Sequence, residues 1–64
     1  MAVADPAELS SLASTLEEVT ARVAAMAEAA AADEESQVGP ELFEIERGLQ
    51  GAARRLAKLV ESLP

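Results

Sequence analysis

Sixty-four residues allow one domain at most, and at this size a single core is marginal without disulfides, a metal or oligomerisation. The chain has no cysteine and no histidine, which excludes disulfide staples, thiolate metal sites and the commonest general base. Twelve acidic against five basic residues give a net charge of −7, which repels nucleic-acid backbones and anionic lipid surfaces alike.

Half of the residues are hydrophobic, too many for a disordered tail of this charge. Fifteen of them are alanine, however, and Phe43 is the only aromatic residue, so little side-chain volume is available for packing. The composition predicts a helical chain that is short of core. The N-terminal run Met1-Ala2-Val3-Ala4-Asp5-Pro6 lacks the positive region and apolar run of an export signal. No uncharged stretch approaches the roughly 20 residues that span a bilayer. The expectation is a soluble, cytoplasmic protein.

The first element opens at Asp5-Pro6-Ala7-Glu8. Asp5 suits an N-cap, Pro6 the first helical turn, and Glu8 sits where a capping-box carboxylate reaches back. Apolar residues follow at alternating steps of three and four: Leu9, Leu12, Leu16, Val19, Val23, Met26 and Ala30. This heptad rhythm predicts helix 1 over about 6–33. The segment Asp33-Glu34-Glu35-Ser36-Gln37-Val38-Gly39-Pro40 breaks it, with side chains that resist burial and a Gly-Pro pair; the loop is expected at about 34–39. Helix 2 is predicted over about 40–63, with Pro40 at its first position and Leu42, Ile45, Leu49, Ala52, Leu56, Leu59 and Leu63 repeating the rhythm before Pro64.

A short connection makes the two helices antiparallel neighbours. The fold class is therefore all-α: one coiled-coil-like, antiparallel two-helix hairpin covering residues 1–64. Folding at the break sets Leu9 beside Leu63, Leu16 beside Leu56, Val23 beside Leu49 and Ala30 beside Leu42, so the two stripes are expected to form one packing seam. It also sets Glu17 and Glu18 opposite Arg54 and Arg55, expected as interhelix charge pairs worth about 0.2–1 kcal/mol each while exposed.

A hairpin seam alone leaves flanks uncovered. Ala53, Ala57 and Val60 widen the helix 2 stripe, and Ala13, Ala27 and Ala31 that of helix 1, as in a bundle helix. Gly48 and Gly51 each cost about 1 kcal/mol against alanine in a helix interior, a cost that close approach of another backbone would justify. Phe43 lies outside the seam, covering the hairpin end or meeting a partner. Phe43, Gly48, Gly51, Ala53, Ala57 and Val60 are accordingly the candidate partner contacts. The expected assembly is a homodimer forming an antiparallel four-helix bundle, with another helical protein as the second choice of partner.

The reactive groups of the chain do not combine into a catalytic constellation. Glu17-Glu18 are adjacent on a helix and point about 100° apart, and Asp33-Glu34-Glu35 lie in the loop, so neither makes the convergent carboxylate pair of a glycosidase or a metal site. Ser10, Ser11, Ser14, Thr15, Thr20, Ser36 and Ser62 have no histidine to activate them. Gly48-x-x-Gly51 lacks the Lys-Ser/Thr ending of a phosphate loop. Arg54-Arg55-x-x-Lys58 has no aromatic residue for base stacking. The sequence predicts no enzyme, cofactor or metal, and no nucleic-acid, membrane or small-molecule partner. The function it predicts is a protein–protein interaction module, a self-associating adaptor or structural subunit with an acidic outer face. The alternative is a small regulatory binder, of antitoxin or anti-activator type, that folds on a basic protein target.

Overall fold

The computed structural model describes residues 5–63 and contains two helices packed against each other, α1 (Pro6–Ala31) and α2 (Val38–Ser62). The expectations placed on Met1–Ala4 and on Pro64 lie outside the described residues. Among the described residues there is no strand. Neither helix is long and apolar enough to cross a membrane.

Helix α1 begins as its sequence dictates. Asp5 is extended and its carboxylate accepts a hydrogen bond from the Ala7 amide at 2.9 Å, while its carbonyl accepts from Leu9 N–H at 2.9 Å. Pro6 occupies the first helical position, where no amide donor is required. The helix ends two residues before the predicted position 33, in a tight turn in which Ala32 and Asp33 N–H donate to Ala29 and Ala30 carbonyls. Asp33 then leaves the helical ladder and its carboxylate accepts from Glu35 N–H at 3.1 Å, the local bond that makes Asp a turn residue.

Helix α2 starts earlier than the Gly-Pro pair suggests. Ser36 Oγ accepts from Val38 N–H at 3.1 Å, and Val38, Gly39 and Pro40 form the first helical turn. Proline is tolerated there because amides of the first turn have no intrahelical acceptor. The loop is therefore 32–37 and not 34–39. Gly39 has a specific steric duty: a Cβ added to it would lie 3.2 Å from the Ala31 backbone nitrogen. Its missing side chain lets the start of α2 close over the end of α1.

The interior is thin. Among the described residues Ala27 is fully buried, Gly39 is buried, and no large side chain is fully buried. Along α1 the covered positions include Leu9, Ala13, Leu16, Thr20, Val23, Ala27 and Ala30; along α2 they include Leu42, Glu46, Leu49, Ala53, Leu56, Val60 and Leu63. The rhythm is still four and three, but its phase is not the predicted one. Leu12, Val19 and Met26, with Ile45, Ala52 and Leu59, are seam residues by the sequence pattern and are exposed in the structure.

Candidate functional site

The phase shift follows from helix geometry. With Leu9, Leu16 and Val23 on α1, and Leu42, Leu49, Leu56 and Leu63 on α2, as an a row, successive residues advance about 100°. The d row (Leu12, Val19, Met26; Val38, Ile45, Ala52, Leu59) then lies about 60° to one side of it. The e row (Ala13, Thr20, Ala27; Glu46, Ala53, Val60) lies about 40° to the other side. The helices meet along a and e. Because α2 runs antiparallel and faces α1, its sense of rotation about the shared axis is reversed. Both d rows consequently fall on the same side of the hairpin, and both e rows on the opposite side.

The exposed apolar residues obey this geometry. Among the described residues seven large hydrophobic ones are exposed, and six of them, Leu12, Val19, Met26, Val38, Ile45 and Leu59, belong to the d rows. Met26, at 62% exposure, and Leu12, at 51%, stand in water nearly as freely as polar surface residues. The a-row leucines lie half-buried between these two ridges. The result is one continuous apolar face, two helices wide. Single exposed leucines need no explanation, but a contiguous patch on one face marks a surface that meets something.

The opposite side is a shallow groove of about 540 Å³, lined by Glu17, Thr20, Ala21, Ala24, Glu46, Gln50, Ala53, Arg54 and Ala57. Alanines of both helices, Ala21, Ala24, Ala53 and Ala57, line its floor. Thr20 is tolerated in the seam because its hydroxyl donates to the Leu16 carbonyl at 2.7 Å, which satisfies it within its own helix. Glu46 is half-buried and keeps its carboxylate at the groove edge, where it accepts from Gln50 Nε2 at 2.9 Å. Polarity hides both residues from a search for apolar periodicity, and only the internal bonds of each helix explain their place.

The remaining predicted sites divide. Among the described residues the one ion pair within 4.0 Å is Arg47 with Glu44, one turn apart on α2 at 3.7 Å. Glu17 and Arg54 line the same groove without pairing within that distance, while Glu18 and Arg55 belong to rows that point away from the seam. The expected Glu17/Glu18–Arg54/Arg55 pairs are thus corrected: matching depth along the hairpin does not close an ion pair even between Glu17 and Arg54 on one groove, and Glu18 and Arg55 stand off the seam. A Cβ added at Gly48 or Gly51 would meet no heavy atom within 4 Å, so the fold of this chain does not require either glycine. Ala53, Ala57 and Val60 are part-buried against α1, whereas Phe43 is 41% exposed on the groove side, away from the d-row face.

Chemically, the groove offers two carboxylates, an amide and a guanidinium on an open alanine floor. Among the described residues no three acidic side chains gather as a metal site, and no buried side-chain nitrogen or oxygen is left unpartnered. Comparison of the chain with protein families, with characterised proteins and with solved structures finds no match.

Proposed function

We propose that this chain is a non-enzymatic protein–protein interaction module, an adaptor or structural subunit that completes its core by docking its d-row face on further helices. Its own copy or another helical chain supplies them, and the completed form is a four-helix bundle. The observation that carries this reading is the placement of six exposed large hydrophobic residues on one side of the hairpin. In a bundle, each helix aims its a/d stripe at the common axis, between its two neighbours. The a and d rows here point in that direction: a towards the companion helix, d towards open solvent on the same side.

The small interior supports the same reading. A hairpin whose described residues include one fully buried alanine and no fully buried large side chain gains little from its own packing, and marginal domains of this size commonly oligomerise. Partner binding adds stability by mass action. Thermal unfolding followed by circular dichroism across a wide range of protein concentration tests it. The midpoint is expected to rise with concentration; a high, cooperative and concentration-independent midpoint contradicts the reading.

A second reading rests on the surface away from that face, where Glu17, Glu18, Glu28 and the Asp33-Glu34-Glu35 loop concentrate negative charge. It is a regulatory binder that becomes ordered on a basic protein target. Under it, the isolated chain has weak helicity at every accessible concentration and gains it on adding a polycationic partner.

A further inference from the structure

Building on the reading of the d-row face as an interaction surface, we infer that its occupant is a second copy of this chain, packed face to face with the two loops at opposite ends. The first support is electrostatic. The a and d rows within the two helices carry no charged residue. The row that borders them, three or four residues from each d position, holds Glu8 and Arg22 on α1 and Glu41 and Arg55 on α2. Asp5, which lines one shallow hollow with Glu8, Leu9 and Leu12, adds a third acid at the end of the face; three acids and two bases there leave nine acids and three bases elsewhere, so −6 of the net charge of −7 lies off this face. A basic partner would find little that is complementary on a rim so nearly balanced. A second copy, repelled by the acidic outer side of α1 and by the loop, meets little net charge here.

The second support is shape. Folding at the loop sets Leu12 level with Leu59, Val19 with Ala52, and Met26 with Ile45. Over these three levels the face is bulky at both ends and small in the middle, and Val38 extends it by one further level at the loop end. A two-fold axis perpendicular to the helices, through the Val19/Ala52 level, stacks the small layer on itself and each Leu12/Leu59 layer on the other copy's Met26/Ile45 layer. This is the self-complementarity that an isologous interface demands. The helices are about 39 Å long by their rise per residue, and the molecule is 18 Å across. Such a face offers on the order of 700 Å² per copy, close to the roughly 800 Å² per partner of a standard interface.

A two-fold axis parallel to the helices would also align the layers, but it sets the two Asp33-Glu34-Glu35 loops side by side. The perpendicular axis separates them by about 39 Å, several times the Debye length of about 8 Å at physiological salt. Charge therefore selects the arrangement with opposed loops. The dimer then presents one acidic loop at each end and one alanine-floored groove on each outer face, a two-ended geometry suited to bridging two partners.

Position 34 is exposed, and the chain has no native cysteine, so Glu34→Cys carrying a nitroxide reports the loop-to-loop distance by pulsed electron resonance. The expected result is a particle of two chains with a label separation of about 40 Å or more, lost when Ile45→Gln is added. A separation near the interhelix spacing of about 10 Å, extended only by the label arms, overturns the opposed arrangement while leaving the interaction reading in place. A monomeric mass with weak helicity overturns self-pairing and moves the face to a foreign partner. A monomeric mass with full, cooperative helicity overturns both.

Discussion

Gly39 and Gly51 occupy the same helix and answer to opposite constraints. At Gly39 a methyl group would press on the Ala31 backbone nitrogen and Cα at 3.2 and 3.3 Å, and backbone atoms at a helix end cannot step aside without opening the loop. Gly39→Ala is expected to cost about 1–3 kcal/mol, measured by denaturant unfolding at fixed protein concentration. Gly51 has open space where its Cβ would stand, so Gly51→Ala is expected to add up to about 1 kcal/mol through helix propensity alone. Leu16 and Leu56 lie in the part of the stripe that does face the companion helix. Leu16→Ala or Leu56→Ala should cost about 2–5 kcal/mol, which an assembly this small cannot absorb; retained helicity and mass in either variant would contradict their place in the core.

At the scale of the elements, the sequence carries both helices, their antiparallel pairing and half of the seam. Asp5, Pro6 and the heptad rhythm are local signals, and they place α1 within two residues of its observed end. The start of α2 is less legible, because Pro40 is as acceptable within a first turn as at its first position, and the decision rests on the Ser36 hydroxyl bond to Val38. The seam is legible in its period and not in its phase. An a/d stripe states only the mean direction of the apolar surface, and helices with alanines at 13, 24, 27, 53 and 57 can turn that stripe partly outward and still pack closely along their small side. Thr20 and Glu46 are invisible to a reading by polarity, since their hydrogen bonds are satisfied within their own helices. Ile45→Gln on the d row is expected to lower the unfolding midpoint at high concentration, whereas Glu18→Lys, on a row facing away, should change stability by no more than about 0.5 kcal/mol. Equal effects of the two substitutions would refute the assigned phase.

For the whole molecule, the physical problem is an apolar sequence with too little volume to enclose a core by itself. Fifteen alanines make excellent helices and poor interiors, and the leucine-like residues that remain are shared between the seam and the open face. The acidic outer side of α1 and the loop repel an identical chain, whereas the apolar face with its nearly balanced rim does not. The most direct measurement is sedimentation equilibrium at micromolar concentration, at physiological salt. A particle of twice the 6.6 kDa chain mass that dissociates when Ile45→Gln is introduced is the predicted result. A stably folded particle of 6.6 kDa, unchanged by that substitution, would contradict it.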